Sequence, residues 1–312
     1  MTAALVLPPE AGEPSQLLAE AARHLCGAVG AKRFRPQLVH LLGQIYDLSE
    51  EQLLRIAAAG ELIHAASLLH DDVIDSGTER RGKPTANVTW GNSVAVLAGD
   101  WLLTRAILEV APLGLLVMND AIETVATMTC AAVREVEARG RTDVTYPLWR
   151  DIAQGKAGEL FAWCAGSVAT LGRDAAGTQI LRQLGRQLGI AFQMADDLKD
   201  ILDANGGKDR FADIKNRNPS FALVVAMDRA PALRSRIAKV WETSESPADL
   251  PGLGRAVAES GGLEAASALL RDEIRSSLTL LSTVAPPKIV AAFIDLAASF
   301  AGSQAALLQG AA

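Results

Sequence analysis

The sequence has little of what marks several large classes of protein. Its 312 residues include only three cysteines, which are far apart and form no CxxC pair. This argues against a disulfide framework, and free thiols in a reducing compartment are expected. Aromatic residues are also scarce, at 4% of the chain. The cysteines are Cys26, Cys130 and Cys164.

Clustered basic charge is missing as well. The chain has 30 Lys and Arg against 36 Asp and Glu, a formal net charge of −6, and no basic block long enough to follow a phosphate backbone. Nucleic acid is therefore not expected as a partner. No signal peptide is predicted, because no basic N-terminal region precedes a long apolar one. The most apolar window, residues 106–118, is interrupted by Glu109 and Pro112. It is too short to span a bilayer, so no transmembrane segment and a cytoplasmic location are expected.

Most of the chain is rich in alanine and leucine and has helical periodicity, while Gly and Pro lie mainly between the periodic stretches. No linker, low-complexity run or solenoid repeat divides it. The pattern predicts an all-α fold with a single domain over residues 1–312, of which 1–14 are expected to be flexible. Residues 148–172 are predicted as one helix, and 82–93 as a loop.

The most informative stretch is 61–85, ELIHAASLLHDDVIDSGTERRGKPT. Asp71 and Asp75 are four residues apart and therefore lie on one helix face, where their charges repel. Divalent cations that bridge the carboxylates make this spacing favourable, and Mg²⁺ prefers oxygen ligands, commonly carboxylates together with substrate phosphates. Arg80 and Arg81 follow closely and suit phosphate. One such cluster also occurs on ordinary acidic helix faces.

A second copy of the cluster makes a metal site the better interpretation. Asp196, Asp197 and Asp200 end another apolar, alanine-bearing stretch, GIAFQMADDLKD. Two clusters that face each other would hold several Mg²⁺ ions around one diphosphate. Lys156 is a lone cation in an apolar stretch and needs an anion there, which a substrate diphosphate would supply.

Several ordered segments together resemble the trans-isoprenyl diphosphate synthases, or polyprenyl synthetases, over residues 27–225. GAKRFRP (30–36) is similar to that family's GGKRxRP, and HAASLLHDDVIDSGTERRGKPT (64–85) to its first aspartate-rich motif. Four further segments match in order: WGNSVAVLAGDWLL, GKAGELF, GIAFQMADDLKD and GGKDRFAD. The resemblance implies a bundle of long helices around a central cavity (the isoprenoid synthase type I fold) and a homodimer. It also implies Mg²⁺-dependent condensation of isopentenyl diphosphate with an allylic diphosphate, and leaves a peripheral membrane contact during product release open.

The same resemblance implies roles for individual residues. Asp71, Asp75 and Asp196 would ligate magnesium, expected as three ions, while Asp72, Asp197 and Asp200 would hold ligands and waters behind them. Gln193 would line the reacting centre. The allylic diphosphate would be held by Arg80, Lys156 and Lys208, and isopentenyl diphosphate by Lys32, Arg35, His64 and Arg81. The chain departs from the family pattern at Ala157 (usually Thr), Phe211 (usually Gly) and Asn218 (usually Lys).

The helix that precedes Asp71 gives an expectation for the length of the product. Ala66 and Ser67, five and four residues earlier, are small, and the family's short-chain members often carry an aromatic residue there. An open cavity and a medium- to long-chain all-trans product are therefore expected. Trp101 or a deeper residue would close the far end of the cavity. A short-chain (farnesyl or geranylgeranyl) synthase stays an alternative.

Three other interpretations remain. A class I terpene cyclase would use the same metal chemistry, but it has no second diphosphate for Lys32, Arg35 and Arg81 to hold. A metal phosphohydrolase would use His70 and Asp71 as an HD dyad, but the chain has only four histidines. A non-catalytic subunit of a heteromeric synthase should have lost aspartates, and this chain keeps all six.

Overall fold

A computed structural model describes residues 16–26, 33–80, 82–202, 211–242 and 250–301. The described chain is almost entirely helical, with fifteen α-helices and one two-stranded hairpin, which confirms the predicted all-α class. The first eight helices are α1 (Gln16–Cys26), α2 (Phe34–Gly43), α3 (Glu50–Ile74), α4 (Ala86–Trp90), α5 (Asn92–Val110), α6 (Leu115–Ala138), α7 (Tyr146–Ala153) and α8 (Glu159–Leu171). The others are α9 (Ala175–Leu202), α10 (Ala212–Lys215), α11 (Phe221–Arg229), α12 (Pro231–Glu242), α13 (Leu250–Glu259), α14 (Gly262–Ser282) and α15 (Pro287–Ala301).

The residues group into two compact units. The first comprises residues 1–125 and 167–178, and the second comprises 126–166 and 179–312. The boundaries fall inside α6, α8 and α9, so these helices contribute to both units. The prediction of a single domain therefore stays a prediction.

The first unit is built on the packing of α3 against α5. Helix α3 begins at a complete capping box, in which the Ser49 side chain accepts from the backbone N–H of Gln52 and the Gln52 side chain accepts from that of Ser49. Apolar side chains of α3 and α5, among them Ile56, Ile63 and Leu102, are fully buried. A helix with a capped N-terminus and a buried apolar face therefore carries the first aspartate cluster at its C-terminal end.

Residues 82–90 contain more regular structure than the predicted loop. Strands β1 (Glu79–Arg80) and β2 (Lys83–Pro84) pair antiparallel, with Glu79 opposite Pro84. Gly82 has φ +76°, a left-handed conformation that glycine adopts without strain. Helix α4 follows directly. Its single turn is too short to produce a recognisable period in sequence, which is why the loop prediction was wrong there.

The second unit holds most of the buried aromatic side chains. Phe161, Trp163, Phe221 and Phe293 are almost completely buried. Helix α11 is buried around its whole circumference from Phe221 to Met227, as expected for an apolar helix in a core. Each fully buried side chain of this size contributes roughly 1.5–3 kcal/mol. One of them, Phe221, also donates its backbone N–H to Asp197 of the second cluster.

Candidate active site

The first aspartate cluster lies at the end of α3, and its three carboxylates have different surroundings. Asp72 is 5% exposed and accepts from the guanidinium of Arg80, with Nη2 2.8 Å and Nε 3.0 Å from Oδ1. This two-point contact fastens strand β1 to the helix end. Asp71 is half-buried and Asp75 is exposed, on the face that the i, i+4 spacing predicts.

The His70 side chain faces α5 rather than the aspartates of the first cluster. Its Nε2 is 3.3 Å from Oδ1 of Asp100 and 3.2 Å from the carbonyl oxygen of Val96. Gly99 makes room for the ring, because a Cβ there would lie 2.2 Å from Nε2. This orientation is unsuited to a histidine–aspartate metal dyad with Asp71.

Three further predicted residues lie in the first unit, on α2 and α3. Arg35 is 6% exposed, in the first turn of α2, whereas His64 and Ser67 are half-buried on the side of α3 that carries Asp71. Ala66 is fully buried in the unit's core. The expectation that Ala66 lines a cavity is therefore corrected: Ser67 is the small residue on the accessible face.

Three predicted substrate-binding residues lie outside the described residues: Lys32, Arg81 and Lys208.

The second aspartate cluster lies near the end of α9, and again one carboxylate is buried. Asp197 accepts from Nε2 of Gln193 and from the backbone N–H of Phe221, both at 2.7 Å. Burial raises the pKa of Asp197 to about 7, against the lowering effect of these two hydrogen bonds. Gln193 therefore serves as a support for Asp197.

The other two members of this cluster differ in exposure. The carboxylate of Asp200 accepts from the backbone N–H groups of Ala212 at 2.8 Å and Asp213 at 3.3 Å, where α10 begins. Burial raises the pKa of Asp200. The Asp196 side chain is 65% exposed and lies 3.8 Å from Nζ of Lys199. Asp196 is therefore the accessible carboxylate of the second cluster.

Asp213 is a member of this environment that sequence reasoning missed. Its carboxylate accepts from Nδ2 of Asn218 at 3.2 Å. Burial, followed by the charges of Asp197 and Asp200, raises its pKa well above the ordinary value. Asp213 is 13 residues from Asp200, too far along the chain for local spacing to link the two.

A small pocket lies beside Asp197 within the second unit. Trp149 and Ile152 are among its apolar walls, and its polar lining consists of Glu135, Lys156, Gln193, Asp197 and Asn218. Lys156 is presented by a π-helical turn, Gln154–Gly158, between α7 and α8. Such turns are frequent at functional sites. Sequence reasoning placed a substrate diphosphate against Lys156; the structure shows its ammonium donating to the carboxylate of Glu135 on α6.

Close backbone packing holds the π-helical turn in place. A Cβ on Gly189 of α9 would lie 2.6 Å from Cα of Gly158 and 2.9 Å from the carbonyl oxygen of Ala157. Gly155 is similarly close to Ala131 of α6. Glycine at these positions therefore lets three helical segments approach around Lys156.

The donors suit magnesium only in part. In the described chain no three His, Cys, Asp or Glu side chains converge to form a complete metal centre. Magnesium usually takes one or two carboxylates and completes its shell with water and substrate phosphates. Asp71 and Asp75 fit such a partial site, as does Asp196. Asp71 belongs to the first unit and Asp196 to the second, and the predicted opposition of the two clusters stays a prediction.

Comparison with solved structures defines the class of fold. A decaprenyl diphosphate synthase from Rhodobacter capsulatus superposes with a TM-score of 0.86 at 28% identity, over 93% of this chain and 91% of that one. A polyprenyl synthase from Caulobacter crescentus CB15, complexed with calcium and isoprenyl diphosphate, gives 0.84 at 28% identity, over 93% and 89%. The fold is the helical fold of isoprenoid synthases.

Sequence comparison gives the family. The polyprenyl synthetase model matches residues 15–251, and the chain belongs to that family. A nonaprenyl diphosphate synthase of Mycobacterium tuberculosis is 36% identical over 62% of this chain, but the match spans only 58% of that enzyme. An all-trans-nonaprenyl-diphosphate synthase (geranyl-diphosphate specific) of Rhodobacter capsulatus is 29% identical over 90% of this chain and 87% of its own length.

Proposed function

We propose that the protein is a trans-polyprenyl diphosphate synthase that condenses isopentenyl diphosphate with an allylic diphosphate. The observation that carries this proposal is the division among the six aspartates. In each cluster one carboxylate is buried and hydrogen-bonded (Asp72, Asp197), one is exposed (Asp75, Asp196) and one is intermediate (Asp71, Asp200). A purely structural acidic surface would have no reason to repeat this pattern on two helices.

The proposed reaction breaks the allylic C–O bond, and the electron pair leaves with the diphosphate. The alkene of isopentenyl diphosphate then attacks the allylic cation, a C–C bond forms, and a proton passes to the released diphosphate. Asp71, Asp75 and Asp196 would hold Mg²⁺, which supplies charge neutralisation of the leaving group when bound. Lys156 and Arg80 would place further positive charge near diphosphates, and apolar walls such as Trp149 would exclude water from the cation.

The proposed product is a medium- to long-chain all-trans polyprenyl diphosphate. Two observations support it: the nonaprenyl synthases among the relatives, and the small side chain of Ser67 on the accessible face of α3. The short-chain alternative predicts farnesyl or geranylgeranyl diphosphate instead. The cyclase alternative predicts that one allylic diphosphate is consumed without isopentenyl diphosphate.

One product assay separates these functions. Purified protein with Mg²⁺ receives isopentenyl diphosphate and geranyl or farnesyl diphosphate, and products are resolved by liquid chromatography and mass spectrometry. We expect a ladder ending in a medium- to long-chain product, and a loss of about 100-fold or more in rate for Asp71→Asn. Asp272→Asn, which removes an exposed carboxylate paired with Arg275 on α14, is the control. Turnover of the allylic diphosphate alone, or none at all, would refute the proposal.

A further inference from the structure

The pocket of the second unit has an unusual charge for a place where a diphosphate should bind. Lys156 is the only cationic residue in its lining, which belongs wholly to the described part of the chain. Glu135 and Asp197 are acidic and line the same pocket, and Asn218 stands where the family pattern has lysine. The lining therefore has no excess of positive charge to offer an anion.

Lys156, the one cation in this lining, already has an ionic partner. The Lys156 ammonium donates to the Glu135 carboxylate, and the two side chains are only 25% and 21% exposed. Solvent screens such a pair less than a surface pair. Burial is the main cause of the raised pKa of Asp197, and the charge of Glu135 adds a small contribution in the same direction.

Two neighbouring cations, Arg150 and Arg186, have carboxylate partners of their own. Nη2 of Arg150 is 2.7 Å from Glu273, and Nε of Arg186 is 2.7 Å from Glu159. A diphosphate that reaches Lys156 must therefore share its ammonium with Glu135 or displace that carboxylate, which in either case remains close to the incoming anion. Like charges at such separations repel appreciably even at an intermediate effective dielectric constant.

We propose that Glu135 is a resident counter-anion of Lys156 that lowers the affinity of this pocket for diphosphates. It would act on the ligand through Lys156, as a residue that sets affinity and favours release of diphosphate-bearing products. A tightly held product would slow turnover wherever release limits the rate. This inference rests on the proposed function for its biological meaning, but the affinity itself can be measured without turnover.

The test compares binding of inorganic pyrophosphate, in the presence of Mg²⁺, by isothermal titration calorimetry. Glu135→Gln removes the charge and nearly keeps the shape, and we expect the dissociation constant to fall about tenfold. Glu137→Gln removes the same charge from an exposed position two residues away on α6, and its affinity should stay within about twofold of wild type. Glu135→Ala repeats the charge removal should the glutamine variant fail to fold, as judged by circular dichroism.

An unchanged or weaker affinity in a folded Glu135 variant would overturn the inference and make Glu135 a support for Lys156. Kinetics add a second readout: the KM for the allylic substrate should fall in Glu135→Gln while kcat does not rise, since substrate and product are both held more tightly. The two proposals fail separately. Wild-type protein without condensation activity would refute the proposed function, whereas the pyrophosphate comparison would still decide the role of Glu135.

Discussion

At the scale of single residues, Asp197 shows burial and hydrogen bonding acting in opposite directions. Two donors, Gln193 and the backbone of Phe221, favour its ionised form, but removal from water disfavours it more strongly and raises its pKa to about 7. In the unfolded chain the same carboxyl titrates near 4. The folded protein thus retains a proton that the unfolded chain releases.

The sign of the pH dependence follows from this difference. Between about pH 4 and 7 the folded state binds the extra proton, so the free energy of unfolding falls as pH rises through 7, at most by about 1.4 kcal/mol per pH unit for one group. Burial raises the pKa of Asp200, Asp213 and Glu273 in the same direction. We expect urea unfolding in EDTA to give lower stability at pH 8 than at pH 6.

The variant Asp197→Asn should make that slope shallower. It loses one of two acceptor oxygens, so its stability at pH 6 should fall by about 1 kcal/mol. The exposed Asp196→Asn is the control and should keep the wild-type slope. A wild-type protein that becomes more stable between pH 6 and 8 would contradict the assignment.

The residues that sequence could predict are those whose meaning lies in local spacing. Asp71 and Asp75 are recognisable because four residues bring them to one helix face. Glu135 is 21 residues from Lys156 and Asp213 is 13 from Asp200, and no local period links such pairs. Their proximity depends on how helices pack, which a single sequence does not express.

At the scale of elements, the π-helical turn within 148–172 is the largest departure from the predicted helices. The stretch has uninterrupted helical periodicity, and one extra residue in a turn has no distinctive composition. What distinguishes Gln154–Gly158 is its contact with α9, where Gly158 and Gly189 meet backbone to backbone. Lys156 lies within this turn.

The variant Gly189→Ala tests that contact. The added methyl would lie under 3 Å from backbone atoms of Ala157 and Gly158, which cannot rotate away. We expect a loss of about 1–3 kcal/mol in stability and a lower rate of condensation, because Lys156 is displaced. Thermal melts and the product assay measure the two effects.

A comparison variant on the same pair of helices is Gly166→Ala. The nearest atoms to its added methyl belong to the Arg182 side chain, which can adopt another rotamer. It should cost less stability and leave the rate nearly unchanged. Equal effects of the two variants would show that the position of the π-helical turn does not depend on Gly189.

Helix α3 separates two small residues that sequence treats alike. Ser67 lies on the accessible face that carries Asp71, whereas Ala66 is fully buried. Ser67→Phe should therefore shorten the product by filling space below the cluster, with little loss of stability. Ala66→Phe should overpack the core and cost about 1–3 kcal/mol. Product length by mass spectrometry decides; an unchanged product in Ser67→Phe would remove this residue from the determinants of length.

At the scale of the whole molecule, composition was sufficient to predict the all-helical class, but it does not predict which surface would associate with another chain. Helix α6 shows why. It buries a narrow stripe that includes Val117, Ala121 and Met128, and leaves other apolar residues in water. By length and composition it is the one helix in the described chain able to cross a membrane, with 28% of its apolar window buried. Core helices of water-soluble proteins pass the same criteria.

The exposed apolar residues of α6 support the predicted homodimer. Leu115 and Leu116 are 71% and 72% exposed, and Ile122, Val133 and Val136 are also exposed. A large exposed apolar patch commonly marks an interface, and a two-fold dimer formed through this helix would pack one α6 against another. The sequence pattern alone does not reveal this surface, because the same residues would suit a buried core helix.

Light scattering coupled to size exclusion tests the dimer. Wild-type protein should elute with twice the mass of the 32.8 kDa chain. Leu116→Arg would place a charge in the interface without a partner and should shift the population towards monomer by about tenfold or more in dissociation constant. The control is Leu17→Arg, which adds the same charge at another exposed leucine, on α1, and should leave the mass at that of the dimer. A monomeric wild type, or a dimer unaffected by Leu116→Arg, would remove α6 from the interface, and the exposed apolar residues would then need another partner.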